Sequence, residues 1–125
     1  MRIRSIKPEF WRSEDIASID MTVVYVGPVD VRVNEIAPCG YQTEYVYMLF
    51  DTDDDLVYIG RSFRPADRFT KHRRKPWWPT VLNAVIVRVA EPSQERPDAA
   101  RLEAYAIREL RPWAKAAVPT VKGIR

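Results

Sequence analysis

Two tyrosines, Tyr47 and Tyr58, stand on either side of an acidic patch in YVYMLFDTDDDLVYIGRS, residues 45–62. A phenol ionises near pH ~10, so it moves a proton at neutral pH only with help from a neighbour. Such help follows in sequence. Arg68 and His72 lie four residues apart and share a face if the segment is helical. Arginine suits a phosphate, and histidine can take a proton. Arg61 directly follows Gly60, and Glu103 supplies a carboxylate further on. A basic helix abutting two tyrosines is a reasonable phosphate site, and a single carboxylate suits a hard divalent ion that also takes phosphate oxygens as ligands.

Each group has an ordinary alternative. The tyrosines could be amphipathic residues of a half-buried sheet. The stretch Arg61 to Lys75, with seven Lys/Arg, one acid and the only histidine, could be a solvated face. Glu103 falls near the middle of an apolar helical arc made by Ala99, Leu102, Ala106, Ile107, Leu110 and Trp113. A carboxylate there needs either a metal or an arginine such as Arg61 or Arg68. Asp51, Asp53 and Asp55 have the 1-3-5 spacing of a calcium loop, but Leu56 and Ser62 stand where Gly and Glu are required. A solvated hairpin turn is the better reading. Trp77 and Trp78 lie between prolines and are read as packing rather than as a platform for bases.

The expected elements are two strands, 45–50 and 56–60, joined by DTDDD. A helix is expected from Pro65 to Arg74, a strand over 81–89 and a helix over 98–111 capped by Asp98. An even-residue hairpin loop would put Tyr47, Tyr58 and Leu49 on one face, and Val46, Met48 and Phe50 on the other. The clamp and the metal ligand are expected on the tyrosine face. Upstream, SEDIASID reads as a short helix capped by Ser13, and 22–33 as two short strands around Gly27-Pro28. A soft boundary falls at Ala37–Thr43, dividing an N-terminal arm, 1–43, from a domain at 44–125. The expected fold is α+β: a small three-stranded antiparallel sheet in the order β-β-α-β-α, with an arm able to add strands.

The chain has 125 residues, 46% hydrophobic and 30% charged, with a net charge of +3. That composition supports a packed core and excludes a disordered chain. Cys39 is the one cysteine, so an internal disulfide and a zinc cage are excluded and a cytoplasmic setting is expected. No apolar run approaches the ~20 residues that span a bilayer, so no membrane partner is expected. The N-terminus lacks the apolar core of a secretory signal.

YVY at 45–47 and YIG at 58–60 resemble the two halves of the GIY-YIG nuclease motif, with Tyr45 in place of the first glycine. The resemblance extends over about 44–115. Arg61 stands where the family often has a basic residue, Arg68 at the catalytic arginine, His72 at a His or Tyr position, and Glu103 at the metal-binding glutamate. It implies a metal-dependent endonuclease that cleaves DNA, double-stranded, with one Mg²⁺ or Mn²⁺ on Glu103. Tyr47, Tyr58, Arg68, His72 and Glu103 would be catalytic, and Arg61, Arg64, Lys71 and Lys75 would contact DNA phosphates. A homodimer is compatible with that reading. Many members carry Pro-x-x-Asn after the last helix, whereas Pro112-Trp113-Ala114-Lys115 puts Lys115 at the Asn position. A binding module with little or no turnover is therefore one alternative. Residues 1–17 resemble the opening of phage replication proteins, which suggests a phage or mobile-element origin. A phage interaction or assembly protein is the other alternative.

Overall fold

The computed structural model describes residues 6–29, 43–90 and 97–114. Its elements are α1 (Pro8–Trp11), β1 (Met21–Pro28), β2 (Glu44–Asp51), β3 (Leu56–Ser62), α2 (Pro65–His72), β4 (Val81–Val89) and α3 (Asp98–Leu110), with a 3-10 turn at Trp78–Thr80 before β4. The fold is α+β, as expected. The sheet has four antiparallel strands rather than three, in the order β1-β4-β2-β3.

The extra strand comes from the arm. β1 runs straight through Gly27 to Pro28, because Gly27 pairs with Ala84 and Pro28 with Asn83. Gly27-Pro28 therefore lies inside a strand, not in a turn between two. Pro28 is tolerated because β1 is an edge strand, whose outer side needs no amide donor.

The central strand β2 is buried along its whole length. Its even-numbered residues Val46, Met48 and Phe50 join Val85, Val87 and Val89 of β4 under α3, where Ala99, Leu102, Tyr105 and Ala106 pack. Phe10, Ile16 and Ile19 of the arm belong to the same core. Phe10 packs on Tyr105 with ring centroids 5.2 Å apart and the planes tilted by 37°. The odd-numbered residues Tyr45, Tyr47 and Leu49 form a second layer with Ala84 and Ile86, covered by Phe69 of α2.

The segment after Ser13 is a chain of turns, not a capped helix. Ser13 Oγ accepts the Asp15 amide, and successive turns from Ser13 to Ile19 bury Ile16 and Ile19 together. So short a piece would nucleate a helix poorly on its own. Asp98 does not cap α3 either. Pro97 holds the cap position, and Asp98 Oδ1 accepts instead from Arg101 Nη1 at 2.8 Å. α2 ends at His72, two residues short of expectation, and tight turns follow it to Lys75.

Past α3, the Trp113 and Ala114 amides donate to the carbonyls of Leu56 and Val57, which docks the chain on the outer edge of β3. Cys39, Lys115, most of the Ala37–Thr43 boundary and residues 30–33 of the second expected strand lie outside the described residues.

Candidate active site

The β2–β3 hairpin sets the site. Asp51 through Asp55 separate the paired Phe50 and Leu56, an odd-numbered loop that would by itself reverse the faces. A bulge at Val57 restores them, so Tyr58 pairs with Leu49 and Tyr47 with Gly60. Tyr47, Leu49 and Tyr58 thus share the face expected of them. The tyrosine rings stack with centroids 6.1 Å apart, inclined by 22°.

The turn itself is explained by hydrogen bonds. Asp51 Oδ1 accepts the amides of Asp53 and Asp55 at 2.9 and 3.0 Å, and Asp54 takes a left-handed φ of 64°. The side-chain oxygens of Asp51, Asp53 and Asp55 gather within 4.8 Å of one another. The buried member, Asp51, has that oxygen committed to holding the turn.

Gly60 is glycine for lack of room. A Cβ at that position would sit 2.6 Å from Tyr47 Cζ and 2.9 Å from Tyr58 Cε1, and closer still to the Tyr47 hydroxyl. The two tyrosine rings occupy the space a side chain would need.

α2 starts with Pro65, which pre-sets the first helical turn. It buries Phe69 against Tyr47, edge to face, at 5.2 Å. That contact turns Arg68 and His72 toward the tyrosines. His72 is buried, and its Nε2 lies 2.7 Å from the Tyr47 hydroxyl, a hydrogen bond. Its ring also meets Tyr58 edge-on at 4.6 Å. Trp77 stacks on the Tyr58 ring at 5.2 Å and 17°. Arg68 lies beside both hydroxyls, Tyr47 foremost, and their proximity favours its charged form. Its Nε is buried and has no hydrogen-bond partner.

Burial pushes the Tyr47 pKa well above the usual phenol value. Arg68 pulls it back in part, while Tyr58 and Glu103 push it further.

A cleft of about 530 Å³ opens next to these groups. Tyr58, Arg68, His72, Trp77 and Ala114 line it, and Lys71, Arg74 and Lys75 add positive charge. Of the expected phosphate contacts, Lys71 and Lys75 are therefore at the cleft. Arg64 is not; it is exposed and 3.8 Å from Asp67. Tyr47 is fully buried behind the cleft wall.

Glu103 and Arg61 stand on the other face of the sheet, and this corrects the expectation of a single face. Arg61 pairs with Val46, so it points toward α3. Arg61 Nε donates to Glu103 Oε1 at 3.2 Å, and Nη1 donates to Glu44 Oε2 at 2.9 Å. Both carboxylates, Glu44 first, raise the Arg61 pKa. The two sets remain close enough for the Glu103 charge to act on Tyr47.

Arg74, Trp77 and Ala114 line the cleft without having been expected there, and Glu44, the partner of Arg61 on the other face, was also missed. Glu44 lies two residues before Val46, and strand alternation puts both on the face that Arg61 shares. That signal was available, but only once the hairpin register was known.

The family profile described as the GIY-YIG catalytic domain matches residues 43–116, more than half of the chain. The chain belongs to the GIY-YIG family. It is thus a member of a nuclease family. Neither curated proteins nor solved structures gave a match. In this GIY-YIG domain the YIG half is Tyr58-Ile59-Gly60, and the space around Gly60 accounts for its glycine. The first half carries Tyr45 for glycine, a buried residue packed in the layer under α2.

The donor set of this GIY-YIG site fits a divalent ion at Glu103. The carboxylate is hard and partly exposed, at 17%, and an ion would take it in exchange for Arg61, which holds it at 3.2 Å.

Proposed function

We propose that the chain is a divalent-metal-dependent endonuclease that hydrolyses DNA phosphodiester bonds, acting on double-stranded DNA. The observation that carries this reading is Arg68: a guanidinium at a basic cleft, beside two tyrosines, with a buried Nε–H that lacks an acceptor. A buried unpaired donor is costly, and a phosphate oxygen would satisfy it. The lining of that cleft by Tyr58, Arg68 and His72, with Lys71 and Lys75 as further cations, supports the reading.

Glu103 would hold one Mg²⁺ or Mn²⁺, which would polarise the phosphate and stabilise the leaving 3′ oxygen. Arg68 clamps the charge that builds on phosphorus. Tyr47 keeps its proton at rest, since burial disfavours a phenolate, and its hydroxyl is hydrogen-bonded to His72 Nε2, which takes that proton in the reaction. The attacking water gives its proton to the Tyr47 oxygen as Tyr47 passes its own to Nε2, so no free tyrosinate forms. Because Tyr47 is closed off by Tyr58, Phe69 and His72, substrate must open a path to its oxygen past Tyr58. Arg61, Lys71 and Lys75 bind the DNA backbone.

The test is nicking of supercoiled plasmid by the full chain with Mg²⁺ or Mn²⁺, beside Glu103→Ala. The Arg61–Glu103 pair favours a second reading, a DNA-binding module with little turnover, because it occupies the metal carboxylate. That reading gives salt-sensitive DNA binding without nicking. An origin in a phage or mobile element, and action in the cytoplasm, belong to the same proposal. So does the boundary between an arm at 1–43 and a nuclease domain at 44–125, with the arm packed into that domain's sheet and core.

A further inference from the structure

We propose that Glu44 is a positioning residue for the metal carboxylate and acts through Arg61, whose guanidinium is a latch shared by Glu44 and Glu103. The inference rests on the reading of Glu103 as the metal ligand. One arginine spans two carboxylates that come from different elements, β2 and α3. Its bond to Glu44, at 2.9 Å, is the shorter, and its bond to Glu103, at 3.2 Å, the longer. The Glu44 side chain is also the less exposed of the two, at 10% against 17%.

A divalent ion arriving at Glu103 competes with Arg61 Nε for the carboxylate oxygens and repels the guanidinium. Arg61 must then give up Nε while keeping an anionic partner. Glu44 supplies that partner. Because Glu44 is nearly buried, stripping it of its cation would be costly, so it retains Nη1. Without Glu44 the whole guanidinium fork would fall on Glu103 and hold it against the ion. A DNA phosphate that takes Nε has the opposite effect: it frees Glu103. Metal and DNA therefore help each other bind, and by equal factors.

The test measures Mn²⁺ binding to the full chain without DNA, by the electron paramagnetic resonance signal of free Mn²⁺. The proteins are wild type, Glu44→Gln, Arg61→Gln, the double variant and Glu103→Gln. Ions held by the Asp51–Asp55 turn are common to all five. Glu44→Gln is expected to weaken Mn²⁺ binding by about fivefold or more. Arg61→Gln is expected to strengthen it, and in that background Glu44→Gln should change it by less than about twofold. Equal losses from Glu44→Gln in both backgrounds would mean that Glu44 acts on the ion itself, and would overturn the latch. No loss in either background would also overturn it. If Glu103→Gln binds like wild type, the metal reading fails and the latch fails with it. Loss in Glu103→Gln alongside equal Glu44→Gln effects removes the latch alone. Should Arg61→Gln not fold, Arg61→Lys replaces it. A compact ammonium cannot fork between two carboxylates, so the Glu44→Gln effect should shrink there too, and an undiminished effect would overturn the proposal.

Discussion

The Tyr47 hydroxyl and His72 Nε2 lie 2.7 Å apart in a buried hydrogen bond that joins the central strand to the basic helix. In the proposed mechanism it pairs a phenol that resists ionisation with the base that takes its proton. His72→Gln keeps polar contact but removes the proton acceptor. It should lower single-turnover nicking by about 10²- to 10⁴-fold, the usual contribution of a positioned acid or base. Tyr47→Phe should lower it comparably. Thermal melts should show both variants folded, which separates lost chemistry from lost structure.

Alkaline titration checks the Tyr47 environment directly. The raised folded-state pKa means that the unfolded chain releases this proton first. The stability contributed by Tyr47 is therefore full below about pH 10 and is lost above it. Tyrosinate absorbance near pH 10 should be the same for wild type and Tyr47→Phe, because Tyr47 does not ionise there. A smaller tyrosinate signal in Tyr47→Phe at that pH would contradict the buried phenol.

Gly60→Ala tests the close approach of the YIG strand to the tyrosines. The new methyl would meet both rings at distances real Cβ atoms do not show, and the rings are walled in by Phe69, His72 and Trp77. Overpacking of this kind costs about 1–3 kcal/mol. A lowered Tm together with a large loss of nicking is expected, since Tyr47 must move from His72. Unchanged melting would show that the rings yield freely.

Truncation tests the arm. A chain starting at Thr43 lacks β1 and three buried core residues, Phe10, Ile16 and Ile19. Losing a large core side chain costs roughly 2–5 kcal/mol, against a net stability of about 5–15 kcal/mol. The truncated chain should show no cooperative melt by circular dichroism. A well-folded, active fragment would instead make the arm a dispensable extension.

Much of the site was legible because alternation and helical spacing are local. Tyr47 and Tyr58 could be placed on one face, and Phe69, Arg68 and His72 on their helix, without tertiary knowledge. The face of Glu103 could not. In α3 Glu103 lies beside the buried stripe of Ala99, Leu102, Tyr105 and Ala106 rather than at its middle, and which side of the sheet α3 covers depends on the β2–β4 and β2–β3 registers. The same registers hid Glu44, whose tie to Arg61 follows only once Arg61 is found beside Val46. The faces of the hairpin came out right through two cancelling features, an odd-numbered loop and a bulge at Val57. The fourth strand was suggested by valines alone, and Gly27-Pro28 disguised its continuity, since a turn and an edge strand both tolerate proline.

The most direct measurement is metal-dependent nicking of supercoiled plasmid by wild type, Glu103→Gln and Arg68→Lys, each first confirmed as folded. Wild type should nick with Mg²⁺ or Mn²⁺ and lose activity with EDTA. Glu103→Gln should be inactive, and Arg68→Lys, which keeps the charge but loses the planar fork, should slow by about 10²- to 10³-fold. DNA binding by wild type without any nicking, or nicking that survives Glu103→Gln, would contradict the account.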